Sequence, residues 1–468
     1  MRTFTMTVDG VAVSSPTTFD VIDPTDETVL ASAPECTDEQ LDHAVAAARK
    51  AFPAWAATPF AERQAALIAM ADVVDAHADE LHRVVTAEQG KPLAMAAAEV
   101  AGLSHWLRAT AALTLPETVN EDGADRLSTT RRVPLGVVAA ITPWNYPLGQ
   151  LSFKLGPALL AGNTVVLKPS DLAPLSALRL GALLVEVLPA GVLNVVSGTG
   201  DLGARITAHR GVDQISFTGS TRTGRAVMAN AAARLTPVTL ELGGNDPAIV
   251  LPDVDVPAVA EALFWAAFAN SGQICLAAKR VYVHADVHAE FRDALVAYAA
   301  TVRTGDPTEE GVGLGPVSNR RQYEAVLDLL KDSEDNGHTV LTGGSPLGRK
   351  GFFVEPTIVD DPPEDARIVQ EEQFGPVLPL LVYRDVDDVV ARANAGDLGL
   401  GASVWSADPA AARAIGDRLD AGTVWINEVM HLSPLVPFAG RKQSGVGAES
   451  GLEGLLAFTS PRTTTVKR

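Results

Sequence analysis

The sequence predicts an α/β fold with two sheet-bearing domains. Short apolar, β-branched runs that end in Gly, Pro, Ser or Thr alternate with helical stretches from residue 133 to about residue 220. A second block with the same alternation extends from about residue 245 to residue 430. These runs are apolar throughout, which is typical of parallel strands in a sheet that helices cover on both faces. A chain of 468 residues with 47% apolar content is long enough to bury such sheets.

The elements ahead of these blocks are predicted to be helical. The first helix begins after Thr37, which forms a capping-box pattern with Gln40. Alanine-rich stretches at 60–89 and 94–112 predict further helices, because alanine has the highest helix propensity. The polar segment 117–136 then carries an Asp-Gly turn signal. It is either a protruding hairpin or an ordinary surface loop, and the segment alone does not decide between them.

The two blocks supply the predicted strands. In the first block these are "LGVVAAITP", "NTVVLKPS", "GVLNVVSG" and "VDQISFTGS", separated by helices at 147–161, 174–187 and 201–209. In the second block they are "DPAIVL", "KRVYVHA", "GPVLPLLVYRD", "GASVWSAD" and "GTVWIN". Strands that alternate with helices in this way predict βαβ units and therefore parallel sheets.

Composition excludes several classes of partner. The chain has 37 Lys and Arg against 57 Asp and Glu, so its net charge of −20 repels nucleic acid and anionic lipid. The polar N-terminus lacks the apolar stretch of a signal peptide, and no apolar run is long enough to span a bilayer. Two cysteines without CxxC spacing and nine scattered histidines predict neither a disulfide framework nor a metal site. We therefore expect a cytoplasmic protein without nucleic acid, membrane or metal partners.

Two glycine motifs follow predicted strands. "GTGDLG" (198–203) matches the G-x-G-x-x-G fingerprint, but no acidic residue ends a strand about twenty positions later. "FTGSTRTG" (217–224) offers the backbone amides of Gly219 and Ser220 at a helix N-terminus, which suits a pyrophosphate. A plain capped turn explains it equally well. Lys168 and Asp171 lie at another strand end and suit ribose hydroxyls, although Asp171 could simply cap a helix.

Several polar residues have both an ordinary and a chemical interpretation. Cys275 lies in "SGQICLA", where a lone cysteine is most often a buried apolar residue. Asn145 lies in a turn, where asparagine is common, but its amide could donate to an oxyanion. Glu241 lies in an apolar strand, where burying a carboxylate is costly without a partner or a role. Glu372 and Phe374 precede a strand and could form a solvated turn.

Together these stretches form a specific set. "PWNYP", "VLKPSD", "FTGST", "LELGG", "GQICLAAKR", "EEQFGPV" and "PFAGRKQSG" occur in the order and approximate spacing of the aldehyde dehydrogenase superfamily, which the chain resembles along nearly its whole length. The resemblance implies a Rossmann-like cofactor domain at 1–116 and 137–243. It also implies a second α/β catalytic domain at 244–444. A small β oligomerisation element would comprise 117–136 and 445–468, in a homodimer or homotetramer.

The resemblance also implies a mechanism. Cys275 would attack an aldehyde, and the Asn145 side chain together with the backbone N–H of Cys275 would hold the thiohemiacetal oxyanion. Hydride would then leave for a nicotinamide, and Glu241 would activate the water that hydrolyses the thioester to a carboxylic acid. Lys154 and Glu449 match positions that relay protons from the base.

The residues that match the family's cofactor contacts come from several motifs. They are Thr142, Trp144, Lys168, Ser170, Asp171, Gly219, Ser220, Leu242, Glu372 and Phe374. Glu372 would hold the nicotinamide ribose, with Phe374 near the ring, whereas the resemblance places "GTGDLG" in a loop near the adenine and not at the phosphates. A carboxylate at Asp171 accepts hydrogen bonds from a ribose 2′-hydroxyl and repels a 2′-phosphate, so we expect NAD rather than NADP.

The sequence departs from the family's pattern at two positions. Ala439 replaces a glycine in "PFAG", which predicts a restricted backbone, and Ala448 replaces an arginine that would support Glu449. A CoA-acylating semialdehyde dehydrogenase is one alternative, but such enzymes generally lack a glutamate at position 241. A catalytically silent relative that acts as a binding or structural protein is the other alternative.

The substrate is less well defined by the sequence. Family analogy places segment 427–436 at the mouth of the substrate tunnel, where Met430 and Leu432 are apolar and His431 is polar. "NSGQICLAAKR" resembles succinate-semialdehyde-type enzymes. No arginine for such a substrate's carboxylate can be identified, because Arg280 enters a strand and is expected to be structural.

Overall fold

The computed structural model describes residues 4–468 as strands and helices that alternate through most of the chain. The strands are β1 (Met6–Val8), β2 (Val11–Val13), β3 (Thr18–Ile22), β4 (Val29–Pro34), β5 (Glu117–Asp122), β6 (Arg126–Pro134), β7 (Val137–Ile141), β8 (Thr164–Lys168), β9 (Leu193–Val195), β10 (Gln214–Thr218), β11 (Val238–Glu241), β12 (Asp246–Val250), β13 (Ala278–His284), β14 (Thr339–Thr342), β15 (Thr357–Asp360), β16 (Val377–Tyr383), β17 (Leu398–Gly399), β18 (Gly401–Trp405), β19 (Thr423–Ile426), β20 (Arg441–Lys442), β21 (Gly445–Val446) and β22 (Thr459–Lys467). The helices are α1 (Asp38–Ala57), α2 (Phe60–Ala76), α3 (Ala78–Gln89), α4 (Leu93–Ala111), α5 (Gly149–Ala161), α6 (Leu175–Leu184), α7 (Gly200–Ala208), α8 (Thr221–Ala232), α9 (Val256–Phe268), α10 (His288–Ala299), α11 (Arg320–Asp335), α12 (Arg367–Gln370), α13 (Val386–Asn394), α14 (Pro409–Gly416) and α15 (Gly451–Leu456), with a 3₁₀ turn at Ala269–Gly272.

The predicted α/β alternation is confirmed, and the first sheet has eight strands. Their order is β2-β1-β9-β8-β7-β10-β11-β21, and the five strands from β9 to β11 are parallel. Every residue of β7, β8 and β10 is buried, because helices cover both faces. The chain adds β8 and β9 on one side of β7 and then returns to add β10 and β11 on the other. Ligands of such sheets bind at the carboxyl ends of the strands beside this reversal.

The register aligns the carboxyl ends of the four central strands. Ile141 of β7 is opposite Lys168 of β8 and Phe217 of β10, and Thr218 is opposite Glu241 of β11. The polar residues that end or follow these strands therefore lie along one edge of the sheet. This edge carries most of the residues that the sequence singles out.

The second sheet has seven strands in the order β14-β15-β16-β13-β12-β18-β19. All neighbours are parallel except β14, which pairs antiparallel at the edge. Phe264 and Phe291 belong to the apolar cluster on one face, and Val326 and Val389 belong to the cluster on the other. Burial on both faces explains why these strands are apolar throughout.

Segment 117–136 is a hairpin, which settles the choice that the sequence left open. β5 and β6 form it, and β22 pairs antiparallel with β6 from Thr459 opposite Pro134 to Lys467 opposite Arg126. Strand β21 pairs with β11, where Gly445 lies opposite Glu241, and so belongs to the first sheet. The sequence prediction instead grouped residues 445–468 with the hairpin.

The domain boundaries predicted from the sequence stay a prediction. In the part of the chain that the structure describes, no helix is long and apolar enough to cross a membrane.

The helices near the N-terminus follow the sequence prediction with one difference. Thr37 and Gln40 form the expected reciprocal capping box at the start of α1. The helical region at 60–89 is divided into α2 and α3 at His77. Helix α3 ends at Gly90, which adopts a left-handed backbone with φ of 94°.

A buried ion pair joins α4 to the loop after β7. The Lys91 ammonium donates to the Glu99 carboxylate and to the Asn145 carbonyl, the latter at 2.9 Å. Glu99 also accepts the backbone N–H groups of Leu148 and Gly149 at 2.8 and 2.9 Å. Both charged side chains are almost fully buried. Removing either partner therefore leaves a buried charge without compensation.

We predict that Lys91→Met destabilises the protein by about 3–5 kcal/mol, because the Glu99 carboxylate loses its only buried cation. Urea unfolding monitored by circular dichroism measures this loss. Lys331→Met is the matched control, since Lys331 pairs with Asp335 on an exposed helix face and such pairs contribute about 0.5 kcal/mol or less. Equal stability of the two variants would contradict the structural role of Lys91.

Candidate active site

Cys275 lies on a loop with a constrained backbone. Asn270 and Ser271, in the 3₁₀ turn before it, have left-handed φ values of 53° and 55°. The buried Gln273 side chain holds the loop, since its Nε2 donates to the Asn270 carbonyl at 2.8 Å and its Oε1 accepts the Ser318 N–H at 2.8 Å. Non-glycine residues persist in this conformation only where surrounding contacts impose it. The position of the thiol is therefore set by its neighbours.

Two cavities meet at Cys275, whose side chain is partly exposed. The larger cavity has a volume of about 400 Å³ and is lined by Met95, Glu99, Gly102, Trp106, Asn145, Tyr146, Gly149, Gln150, Ser152, Phe153, Ala269, Ile274, Cys275, Leu276, Met430 and Leu432. The smaller has a volume of about 180 Å³ and is lined by Pro143, Trp144, Asn145, Gln150, Thr218, Gly219, Ser220, Leu242, Gly243, Cys275, Arg321, Gln322, Glu372 and Phe374. Only Asn145, Gln150 and Cys275 line both of them.

Asn145 is fixed against the loop that carries the thiol. Its Nδ2 donates to the Gln273 carbonyl at 2.9 Å, two residues before Cys275. Its own carbonyl accepts from Lys91 and from Asn270 Nδ2, at 2.9 and 3.1 Å. An asparagine amide has two N–H groups, so one remains to donate to a ligand oxygen. This arrangement suits a donor held in place beside a reacting carbonyl.

Glu241 is the last residue of β11 and is buried. Neither of its carboxylate oxygens has a hydrogen-bond partner among the described residues. Burial, and then repulsion from Glu449, raise the pKa of Glu241 well above its ordinary value, while Lys154 opposes the rise. A buried carboxyl with free oxygens and a raised pKa is a stronger base than an exposed one.

Lys154 and Glu449 form a buried ion pair beside Glu241. Lys154 Nζ lies 2.6 Å from Glu449 Oε1 and donates to Ser216 Oγ at 3.1 Å. The backbone of Glu449 exchanges two hydrogen bonds of 2.8 Å with Phe438. The structure therefore brings three sequence-predicted residues together, and Lys154 provides charge support for Glu449 although Ala448 replaces the arginine. Among the described residues, Ala439 is not one of those with positive φ, so its Cβ is tolerated.

The thiol itself lies in an acidic surrounding. Burial raises the pKa of Cys275, and Asp246, Glu372 and Glu241 raise it further. The thiol is therefore protonated at neutral pH, and a base must remove its proton before it can attack. Asp246 was not identified from the sequence. Its signal is an acidic residue that begins the strand directly after Gly-Gly-Asn.

Gly243 and Gly244, which follow Glu241 and Leu242, allow the Glu372 side chain and the backbone of Cys275 to pack closely against this turn. A Cβ on Gly243 would lie 2.3 Å from Glu372 Oε2, and one on Gly244 would lie 2.2 Å from the Cys275 carbonyl oxygen. The Gly244 N–H donates to Glu372 Oε1 at 3.0 Å. Burial raises the pKa of Glu372 to about 7, which this hydrogen bond and Lys279 oppose.

Two aromatic residues form one wall of the smaller cavity. The rings of Trp144 and Phe374 meet edge to face, with centroids 5.4 Å apart. Phe374 has a left-handed φ of 45°, so its position depends on the turn around it. Glu372 lines the same cavity as these two rings, and the assignment of all three to cofactor contacts stays a prediction.

The lining of the smaller cavity also includes residues at the start of α8. Ser220 caps this helix by accepting the Thr223 N–H at 3.3 Å, and Gly219 and Thr218 precede it. The Thr218 hydroxyl is buried without a partner among the described residues. A helix N-terminus attracts phosphate, and an orphaned hydroxyl can bond to a ligand. These residues fit a nicotinamide dinucleotide.

Four of the predicted cofactor contacts lie on the same sheet edge but do not line this cavity. Thr142 is adjacent to Lys168, because its N–H donates to the Lys168 carbonyl at 3.2 Å. Ser170 uses its hydroxyl to accept the N–H of Leu172 at 3.3 Å. Asp171 lines a separate cavity of about 390 Å³.

The cavity that Asp171 lines and the smaller cavity at Cys275 share Arg321 as a lining residue. This exposed side chain lines both, although the sequence did not single it out. Gly200 of the "GTGDLG" motif begins α7 and lies outside both cavities that meet at Cys275. Gln150, Gln273 and Lys91 are further residues of the site that were missed, because no motif distinguishes a buried polar side chain from an exposed one.

Comparisons with known proteins show the family of this chain. The model of the aldehyde dehydrogenase family matches residues 11–464. A probable aldehyde dehydrogenase of a Pseudomonas species is 42% identical over 99% of this chain and 95% of the relative. A phenylacetaldehyde dehydrogenase of Pseudomonas fluorescens is 40% identical over 97% of this chain and 94% of the relative.

A solved structure of aldehyde dehydrogenase from Bacillus cereus, in complex with NAD⁺, superposes with a TM-score of 0.97. It is 37% identical and the match covers 100% of this chain and 97% of that one. The matches extend over almost the entire chain and agree in both sequence and three-dimensional arrangement. The chain belongs to the aldehyde dehydrogenase family of oxidoreductases.

Proposed function

We propose that the protein oxidises an aldehyde to the carboxylic acid with NAD, using Cys275 as a covalent nucleophile. The observation that carries this proposal is that Cys275 lines both cavities, with Asn145 beside it in each. A substrate in the larger cavity and a nicotinamide in the smaller one would both reach the sulfur. The existence of an NAD⁺ complex of the Bacillus cereus relative supports this cofactor.

The first step forms a bond between Cys275 Sγ and the aldehyde carbon. Glu241 takes the thiol proton, since burial makes its carboxylate basic and both its oxygens are free. The carbonyl electrons move to oxygen, and the second Asn145 N–H and the Cys275 N–H stabilise the oxyanion. One such donor contributes about 10²–10³ in rate.

Oxidation and hydrolysis follow at the same carbon. When bound, NAD supplies the acceptor for the hydride that leaves this carbon, and a thioester on Cys275 results. Glu241, having first passed the thiol proton to the Lys154–Glu449 pair, takes a proton from water as the new C–O bond forms. The C–S bond then breaks, and the departing Cys275 thiolate takes that proton from Glu241, which restores the thiol. The Lys154–Glu449 pair, which lies beside Glu241, passes the proton onward.

The free carboxylate of Glu241 favours water over CoA as the acyl acceptor, because it can deprotonate water within the site. NADH formation without CoA distinguishes hydrolysis from CoA acylation. Asp171 supports NAD over NADP through repulsion of a 2′-phosphate.

We also propose that the chain forms a homodimer or homotetramer through the sheet of β5, β6 and β22, whose outer strands are largely exposed. Cytoplasmic location and the domain boundaries stay predictions.

We predict that Cys275→Ala abolishes NADH formation from propanal, because no other group can form the thioester. Cys36→Ala is the matched control, since Cys36 is the other cysteine and is buried away from both cavities. The measurement is NADH absorbance at saturating NAD, with circular dichroism to confirm folding. Retention of activity by Cys275→Ala would rule out the proposed nucleophile.

We predict that Glu241→Gln lowers steady-state turnover by about 10²–10⁴-fold through loss of the general base. In the native protein the rate should rise with pH through the raised pKa of Glu241, because only the carboxylate form accepts a proton. The variant should lose this rise. Glu453→Gln, on the exposed side of α15, should retain the native profile. An unchanged pH profile in Glu241→Gln would assign the base elsewhere.

We predict that Asp171→Ser raises the ratio of kcat/KM for NADP to that for NAD by about tenfold or more, because repulsion of the 2′-phosphate is relieved. Steady-state kinetics with both cofactors measure the ratio. Asp293→Ser, at an exposed position of α10, should leave it unchanged. A native preference for NADP would overturn the assignment of NAD.

A further inference from the structure

The larger cavity, here called the apolar chamber, has an aromatic lining. Trp106 and Phe153 meet edge to face with ring centroids 5.6 Å apart, and Tyr146 also lines the chamber. Met95 and Met430 add flexible, polarisable side chains. Aromatic rings prefer edge-to-face contact with other rings, and methionine sulfur contacts ring edges favourably. The lining therefore suits a ligand with a ring.

One glycine leaves open space in this lining. Gly102 lies in the interior of α4 and lines the apolar chamber, and a Cβ built on it meets no atom within 4 Å. A helix-interior glycine is unfavourable relative to alanine, so nothing in local helix formation requires it. The absent side chain widens the chamber next to Trp106, one helical turn further along the same face of α4.

The chamber has no cation available for a substrate carboxylate. None of the described residues that line it is Lys, Arg or His. Its single acidic side chain, Glu99, is already bound to Lys91 and to two backbone N–H groups. Lys91 Nζ lies 3.5 Å from the centroid of the Tyr146 ring and donates to the Asn145 carbonyl and to Glu99. The ammonium therefore already has partners and is not available to bind a substrate carboxylate.

Arg280 and His431, which the sequence analysis considered as contacts for a polar substrate group, do not line the apolar chamber. Arg280 is buried, and its guanidinium donates to the carbonyls of Asn245 and Ala393 at 2.9 and 3.0 Å. His431 does not line the chamber and lies 3.5 Å from Glu428 on the surface. A carboxylate that entered the chamber would therefore lose its hydration without gaining a partner.

The segment at the chamber's edge is also apolar. It contributes Met430 and Leu432 to the lining, and it continues to Leu435 and Val436, which are 63% and 56% exposed. The segment is joined to the chamber wall, because Pro434 accepts the N–H of Gly451 at 2.9 Å and the preceding Ser450 hydroxyl contacts Trp106 Nε1 at 3.4 Å. An apolar substrate therefore meets apolar side chains at the edge as well as inside.

We propose, resting on the proposed aldehyde oxidation, that the protein prefers aldehydes that carry an aromatic ring and discriminates against ω-carboxylated aldehydes. Gly102 is the specificity-determining residue, because it leaves the space that the ring occupies. The similarity of "NSGQICLAAKR" to succinate-semialdehyde-type enzymes does not extend to a carboxylate site in the chamber.

The kinetic test compares phenylacetaldehyde, propanal and succinate semialdehyde by NADH formation. We expect kcat/KM for phenylacetaldehyde to exceed that for succinate semialdehyde by about 100-fold, since the chamber offers the ring contacts and the carboxylate no partner. Gly102→Leu should lower the ratio of phenylacetaldehyde to propanal by about tenfold or more, because the side chain fills the ring's space. Comparable rates for phenylacetaldehyde and succinate semialdehyde would overturn the proposal.

Gly203→Leu is the matched control. Gly203 also lies inside a helix, α7, and its added Cβ also meets no atom within 4 Å, but it does not line the chamber. This variant should keep the native ratio of phenylacetaldehyde to propanal to within about twofold, as expected for a surface substitution. An equal change of that ratio in both variants would remove Gly102 as the determinant.

A binding measurement separates this proposal from the proposed function. Isothermal titration of Cys275→Ala with phenylacetamide and with succinamate, the unreactive amide counterparts of the two aldehydes, does not depend on turnover. We expect phenylacetamide to bind at least about tenfold more tightly, and Gly102→Leu in the same background to weaken it. Tighter binding of succinamate would overturn the aromatic preference even in an active enzyme. Absence of NADH from every aldehyde would instead overturn the proposed oxidation.

Discussion

The close approach of the Cys275 loop to the Gly243–Gly244 turn is the contact on which the site depends. Glu241 ends a strand of the first sheet, whereas Cys275 precedes β13 of the second, so the two groups belong to separate hydrophobic cores. Only a turn without side chains allows the Cys275 carbonyl and the Glu372 carboxylate to pack against the end of β11. The Glu372 carboxylate and the loop that carries Cys275 both reach the end of β11 because this turn has no Cβ atoms.

The buried charged side chains near that contact differ in whether they have a partner of opposite charge. Lys91–Glu99 and Lys154–Glu449 are compensated pairs, and each also binds further polar groups, as buried ions require. Glu241 is different, since its oxygens have no hydrogen-bond partner among the described residues. The paired groups hold backbone and side chains in position, and the unpaired carboxyl retains the free oxygens that proton transfer needs. Pairing thus distinguishes the carboxyl that we propose as the base from the carboxyls that a neighbouring cation compensates.

The thiol separates two environments of different chemistry. On one side, aromatic and aliphatic side chains form a chamber that no Lys, Arg or His among residues 4–468 lines. On the other, a helix N-terminus, a buried hydroxyl and Glu372 line the smaller cavity together with the rings of Trp144 and Phe374. Asn145 touches both, and its amide is fixed by the same loop that fixes Cys275. In the function that we propose, the Cys275 sulfur would contact the aldehyde from the apolar chamber and the cofactor from the smaller cavity.

The sequence by itself determined the alternation of strands and helices and the motifs at strand ends, because both depend on local periodicity and on turn residues. It also led to the prediction that Cys275, Asn145 and Glu241 are catalytic, although only through resemblance to a family. The tertiary structure decided which groups meet. The Lys154–Glu449 pair joins residues 295 positions apart, and segment 117–136 is a hairpin completed by β22. Contacts at such separations depend on how whole sheets pack, which no local pattern encodes, and they decide whether a carboxyl is paired, like Glu449, or free, like Glu241.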